Sequence, residues 1–291
     1  MNIKDFEYFQ AMIEEHNFSR VATRFQVSQP TISTAIKRLE TEFETQLFIR
    51  DASEHRLTTT LSGQQLAEHT DVILDQVRVA QNEIRNINTG KIVLGLPPVI
   101  SQTYFPQIAA ALAKQKLLRQ IIPVEKGSAE LLKLLLNGTL DLALVGSVQP
   151  FDSARLFSQT FAQTKFNIIV SKDHPLAHER QVYFRDLKDF NFITFGSSFV
   201  HSEALKQLSH ANHFRPQIIY KSDDPQVIQG MIANNIGISF LAESAITNPD
   251  VVSLELLDEP QPSFYMSLAY RTNHIFSPVQ QRVVDICLQL N

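Results

Sequence analysis

The tightest constraint on the fold is a proline-free run from residue 60 to residue 88. In it Leu66, Thr70, Ile73, Val77, Ala80, Ile84 and Ile87 recur at steps of 4, 3, 4, 3, 4 and 3. That is a heptad seam on one continuous helix. A globular helix lying on its own core presents a broader apolar face, and that reading stays open. The narrow stripe favours a helix that meets a partner helix, so the seam predicts a dimerisation helix doubling as a linker. The chain must therefore carry something at each end worth linking.

Before the seam, residues 1–58 read as short helices followed by a hairpin. Phe6, Phe9 and Ile13, then Val21, Ala22 and Phe25, give two amphipathic stretches broken at Asn17-Phe18-Ser19, with Ser19 as the expected N-cap. A third stretch, FQVSQPTISTAIKRLE at 25–40, places Ile32, Ala35, Ile36 and Leu39 on one side. With Ser28 as N-cap, Pro30 falls in the first turn, where its missing N–H has no helical partner to lose. The other side carries Gln29, Thr31, Ser33 and Thr34 near the start and Lys37 and Arg38 further along. Short hydrogen-bonding groups in front and cations behind are what a helix entering a DNA major groove needs. The preceding helix would complete a helix-turn-helix. Leu47–Arg50 and Arg56–Thr58, around a polar turn at Ala52–Glu54, would form a wing carrying Arg50, His55 and Arg56.

Bulk charge does not point to DNA. The whole chain carries −4, and residues 1–60 hold seven Lys/Arg against nine Asp/Glu. Phosphate neutralisation must then fall to a local basic face.

After the seam, residues 91–291 alternate strands and helices. KIVLGL is a strand followed by a helix through Phe105–Leu112. QIIPVEKG, SAELLKLLLNG and DLALVGS read as strand, helix and strand. The scheme recurs in FNFITFGSS, SEALKQL, QIIYKSDD, PQVIQGMIANNIG and ISFLAES. This predicts two half-similar α/β subdomains with mainly parallel sheets. FNIIVSK and FYMSLAYR would cross from one to the other and back. Small polar residues fall where strands end and helices begin: Gly127-Ser128, Ser197-Ser198 and Ser222-Asp223-Asp224. They are either ordinary turn and cap residues or the rim of a cleft for a small, anionic molecule.

No GxSxG, GxxxxGK[ST], GxGxxG or HExxH occurs, which leaves no enzyme motif. His174 and His178 are separated by Pro175, against a helical metal pair, and no metal or other cofactor is expected. His201, His210 and His213 lie in polar surroundings and are expected to be solvated. The single cysteine, Cys287, sits between Ile286 and Leu288 and should be a buried thiol. No apolar leader and no run of about 18 apolar residues is present, so a cytoplasmic, non-membrane protein is expected.

Taken together, Phe18-Ser19, Ala22, Val27 through Ser33, Ile36, Leu39-Glu40, Leu47 through Arg50, Leu57-Thr58 and Gly63 resemble the LysR-type transcriptional regulators, and the resemblance covers the whole chain. It implies an N-terminal winged helix-turn-helix at 1–58 and a linker and dimerisation helix at 59–89. A bilobed effector-binding domain like periplasmic binding proteins follows at 90–291. Lobe one would be about 90–162 plus 266–291, and lobe two about 163–265. The resemblance implies a homodimer through the linker, a homotetramer, promoter DNA as partner and a small-molecule co-inducer. It places Gln29, Pro30 and Ser33 at bases, with Ser28 as cap. Thr31, Thr34, Lys37 and Arg38 fall at base margins or backbone, and Arg50 and Arg56 in the wing. For the effector it maps loops to Pro98, Val99, Ile100 and Ser101, to Gly127-Ser128, to Gly146, and to Ser197, Ser198 and Phe199. Phe43-Glu44 stands where the family has Leu-Gly, so the turn before the wing is expected to differ. The wording MNIKDFEYF and EFETQLFIRD is similar to the malolactic-fermentation regulators of lactic acid bacteria, which implies an organic acid, malate, as co-inducer.

Overall fold

The computed structural model describes residues 1–51 and 56–289, with Arg50, Asp51 and Arg56 as backbone only. The polar turn expected at Ala52–Glu54 and the wing residue His55 lie outside the described residues. Two compact units divide at residue 81: Met1–Gln81 and Asn82–Asn291.

The first unit begins with α1 (Ile3–Glu15), α2 (Phe18–Arg24) and α3 (Gln29–Glu42). Their apolar sides meet in one core, with Phe9, Met12, Val21, Ile32, Ala35 and Leu39 buried. Asn17, not Ser19, caps α2: its Oδ1 accepts from the N–H of Ser19 at 2.9 Å and of Arg20 at 3.1 Å. Asn17 stands just before the first helical residue, so its side-chain oxygen reaches two free first-turn amides; Ser19 is already inside the helix and cannot cap it. The hairpin pairs β1 (Phe48–Asp51) with β2 (Arg56–Thr59), antiparallel and one residue later at each far end than the pattern suggested.

Helix α3 ends in a left-handed residue, Glu44, at φ 50°. The N–H of Thr45 returns to Glu40 O at 3.1 Å, the bonding of a Schellman turn. The turn before the wing thus keeps the geometry a glycine would give. The Glu40 carboxylate also accepts from the N–H of Leu47 at 3.0 Å, which sets where the wing starts.

Helix α4 runs unbroken from Leu61 to Thr89. Thr60 Oγ1 accepts from the N–H of Gly63 at 2.9 Å and caps it. The predicted seam divides. Leu66 and Thr70 are buried, and Leu66 with Leu74 belongs to the core of the first unit. Ile73, Ala80, Ile84 and Ile87 are exposed and Val77 is half-buried. The N-terminal part of the helix therefore follows the reading of a helix on its own core. The apolar stripe is left uncovered only from residue 73 onward.

In the second unit, β3 (Ile92–Leu96) lies between β4 (Ile121–Glu125) and β5 (Leu142–Ser147), both parallel to it. Helices α5 (Pro98–Lys114) and α6 (Ser128–Leu136) connect them. β6 (Leu156–Ser171) is the long crossing strand. Its first part pairs antiparallel with β12 (Ser263–Arg271), which pairs with β5. From Phe166 onward β6 instead pairs antiparallel with β10 (Ser239–Ala242) and β11 (Val251–Leu256). That exchange of partners separates lobe one from lobe two. In lobe two, β7 (Gln181–Val182) joins β11, and β8 (Asn191–Thr194) pairs in parallel with β9 (Gln217–Lys221). Helices α7 (Val200–Ala211) and α8 (Pro225–Ala233) flank them, and α9 (Pro278–Leu288) closes lobe one.

The sheets are mixed rather than mainly parallel, because each return across the domain reverses the strand direction. Helix α5 also begins seven residues earlier than expected. Pro98 fits its first position, and Pro106 removes one interior donor without ending it.

The start of the second unit is anchored by a buried charge cluster. Arg271, 7% exposed, donates to the Glu83 carboxylate at 2.6 Å and to the carbonyls of Leu140, at 2.9 Å, and Leu135. His274 Nδ1 meets the same Glu83 oxygen at 3.0 Å. Burial opposes the charge on Glu83, but His274 and Arg271 outweigh it and hold its carboxyl below the usual range.

Candidate DNA-reading helix and effector cavity

The front of α3 is built for contact. Its cap is the one the spacing predicted: Ser28 Oγ accepts from the Thr31 N–H at 3.4 Å and lies 2.9 Å from the Thr31 hydroxyl. Ser28, Gln29, Pro30, Thr31, Thr34, Lys37 and Arg38 are exposed and Ser33 is half-buried, while Ile32, Ala35, Ile36 and Leu39 are buried. One helix thus has an apolar back sealed into the core and a polar front open to solvent.

Arg38 differs from the rest. Its guanidinium grips the fully buried Asp5 carboxylate of α1, with Nε at 3.2 Å. Burial disfavours ionised Asp5, but the Arg38 hydrogen bonds and the Asn2 N–H outweigh it and hold the carboxyl below its ordinary value. Arg38 is therefore first a brace between α1 and α3, with only its remaining N–H groups free for phosphate. Sequence periodicity could not find this, because Asp5 lies 33 residues away.

In the second unit a cavity of about 370 Å³ opens between the lobes. Of the predicted effector residues, Ser128, Gly146, Ser197, Ser198 and Phe199 line it. Gly127, the N-cap of α6, stands beside them. Ser128 Oγ accepts from the Gly146 N–H at 2.8 Å, locking the ends of α6 and β5 together. Gly146 faces the Phe264 ring, and no side chain fits there. Pro98, Val99, Ile100 and Ser101 are not part of this lining. They form the first turn of α5, where Val99 and Ile100 are in the core and Ser101 Oγ bonds Pro98 O at 3.1 Å. The residues that sequence reasoning missed include Val148–Asp152 and Glu203, besides Ala129, Leu132, Ser147 and Val200. Residues 148–152 follow β5 in an irregular segment without a motif. Among the described residues the charged side chains of the lining are Asp152 and Glu203, with no Lys or Arg.

His201 is not solvated. It is 1% exposed, among the Phe166, Phe195 and Phe264 rings. Its Nε2 accepts from the Ala242 N–H at 3.2 Å, so the proton sits on Nδ1. Burial lowers its pKa to about 3. His210 and His213 are exposed as expected. Cys287 is buried and its thiol is pushed up to about 12 by that burial. Among the described residues no helix is long and apolar enough to cross a membrane.

Comparison with known proteins gives a consistent picture. Residues 3–64 match the bacterial regulatory helix-turn-helix protein, lysR family, and residues 85–291 match the LysR substrate binding domain. The chain is 33% identical to the malolactic fermentation system transcriptional activator of Lactococcus lactis subsp. lactis, over 98% of each chain. It is 27% identical to the hydrogen peroxide-inducible genes activator of Haemophilus influenzae, over 97% of this chain and 93% of that one. In fold it is similar to full-length CbnR complexed with its target DNA, at TM-score 0.56 and 19% identity over 100% of both chains. The effector-binding domain of QuiR in complex with shikimate aligns at TM-score 0.60 and 20% identity, over 68% of this chain and 95% of that one.

Proposed function

This chain belongs to the LysR family of bacterial helix-turn-helix transcriptional regulators, and from that premise we propose how it reads DNA and what it senses. The carrying observation is α3, whose polar first turn is exposed while its apolar side is sealed. In the proposed complex Gln29, Pro30 and Ser33 face base edges, and Thr31, Thr34 and Lys37 lie at the groove margin. Lys37, the free donors of Arg38, and Arg50 and Arg56 of the wing neutralise phosphates. The uncovered stripe from Ile73 to Ile87 would pair two chains into a homodimer, and two dimers into a homotetramer, matching a two-fold related operator.

The test is a gel shift on the promoter beside the gene itself. Gln29→Ala with Ser33→Ala should weaken binding about 30-fold or more, as each good base contact is worth roughly 1–3 kcal/mol. Unchanged affinity would remove α3 as the reading element. Affinity should also fall steeply with salt, with a slope near −0.9 per phosphate neutralised.

For the effector, the proposal is a small organic acid in the interlobe cavity, with malate first to be tried. It rests on the similarity to the malolactic fermentation activator. Hydroxyls of Ser128, Ser197 and Ser198 would hold it, since among the described residues no Lys or Arg is present in that lining. One observation favours a second reading, an uncharged hydroxyl-rich ligand: the lining carries Asp152 and Glu203, which repel a carboxylate. Thermal shift decides between them. A ligand at 100 times its Kd should stabilise the protein by about 2.7 kcal/mol. Malate raising the midpoint while its diamide does not supports the acid; the converse selects the uncharged ligand.

A further inference from the structure

A second cavity, of about 690 Å³, lies wholly within lobe two, between α7 and the β8–β9 pair. It is larger than the space between the lobes and falls within the range of small-molecule sites. Its charged lining is of one sign. Lys206, Arg215 and Lys221 stand around it with the imidazoles of His210 and His213, and among the described residues no Asp or Glu lines it. None of these five residues forms an ion pair among the described residues. The nearest carboxylate seen beside the lining is that of Asp223, against Gly196, and it forms no ion pair with these cations among the described residues, so the rim presents unpaired positive groups.

The floor of the cavity is apolar. Phe195 and Leu205 are buried, and Phe214 stacks on Phe184 at 4.8 Å between ring centroids. At that floor Thr194 is 2% exposed, and its hydroxyl has no hydrogen-bond partner among the described residues. It is one of seven such buried side-chain atoms among the described residues, and of these Thr194 lines this cavity. Cations at the rim, rings beneath and an orphan hydroxyl at the base define the complement: an organic anion with an apolar body.

We propose that lobe two binds an amphipathic organic anion, a carboxylate or phosphate ester on an aromatic or branched aliphatic body, in this cavity, separately from the interlobe site. Lys206 and Arg215 hold the anionic group, Phe195, Leu205 and Phe214 hold the body, and Thr194 meets a polar atom of the body. A concave apolar floor distinguishes this surface from a flat phosphate-binding ridge, which argues for a small molecule over nucleic acid. Ser197 lines both cavities, so the loop after β8 is shared between them. The inference stands without the reading of the interlobe effector.

Calorimetry on the full chain with 2-naphthoate, 1-naphthyl phosphate and the neutral 2-naphthamide tests it. At least one of the two anions should bind at least tenfold more tightly than the amide, and which of them binds better identifies the head group. Lys206→Met with Arg215→Met should weaken that binding at least tenfold, with an unchanged thermal midpoint. Thr194→Val should weaken it by a smaller factor in the same direction. Equal binding of anion and amide, or anion binding untouched by the double substitution, would overturn the proposal. So would a change in sedimentation of the double variant with no change in anion binding, since the face would then be covered by a second copy of the chain.

Discussion

The N–H of Ala129 in α6 donates to the carbonyl of Ser198 at 3.1 Å, and so ties lobe one to lobe two beside the interlobe cavity. Gly127 permits this approach, because a Cβ there would strike both the hydroxyl and the carbonyl of Ser198. Gly127→Ala should therefore wedge the lobes apart. Overpacking of this kind costs roughly 1–3 kcal/mol. The ligand-induced rise in thermal midpoint should be lost while operator binding by the unliganded protein persists. A variant that still responds fully to ligand would show that this contact does not control closure.

Glu44 occupies a left-handed position that costs an L-residue roughly 1–2 kcal/mol. Glu44→Gly removes that strain and restores about 0.5–1 kcal/mol of unfolded-chain entropy against it. A net gain of about 0.5–1 kcal/mol is expected from denaturant unfolding of the full chain, read on the N-terminal transition. Destabilisation would mean that the Glu44 side chain makes a contact worth more than the strain.

Breaking the Glu83–Arg271 pair should be costly, because Arg271 would remain nearly buried with its charge uncompensated. Glu83→Ala is expected to destabilise the effector domain by roughly 3 kcal/mol. Glu83→Gln should lose less, since an amide oxygen still accepts from the guanidinium. Chemical denaturation of the three proteins side by side gives the ranking. Equal stability of all three would assign the anchor to the Leu135 and Leu140 carbonyls alone.

His201 predicts an acid sensitivity of the effector domain. Its folded-state pKa, about 3, lies below the ordinary 6.5, so the unfolded chain binds a proton that the folded one refuses. The resulting stability is complete above pH about 6.5 and declines as pH falls, by at most about 1.4 kcal/mol per pH unit. His201→Gln, which can still accept from the Ala242 N–H, should flatten the thermal midpoint between pH 6 and pH 4. A parallel slope in the variant would place the sensitivity elsewhere.

Local sequence carried much of this. The cap at Ser28, the tolerance of Pro30 in a first turn and the inward side of α3 follow from spacing and backbone chemistry within a dozen residues. The alternation of strands and helices after residue 90 likewise announced two α/β lobes. Where reasoning failed, a distant group had intervened. The cap of α2 is a local exception: Asn17 takes it because the helix already starts at Phe18, ahead of Ser19. His201 looked polar beside Ser202 and Glu203, yet its ring lies among phenylalanines from β6, β12 and the end of β8.

The sequence by itself determined the order of parts: a helix-turn-helix with a hairpin, a proline-free heptad helix, and two α/β lobes. It could do so because caps, turns and periodicity act over one or two turns of chain. Only tertiary structure decided which polar groups are free to act. It bound Arg38 to Asp5, took Leu66 and Thr70 out of the seam, sank Val99 and Ile100 into a core, and gathered Lys206, Arg215 and Lys221 around one cavity. Those outcomes depend on desolvation and on pairing between segments far apart in the chain, and no periodicity records which segments will meet.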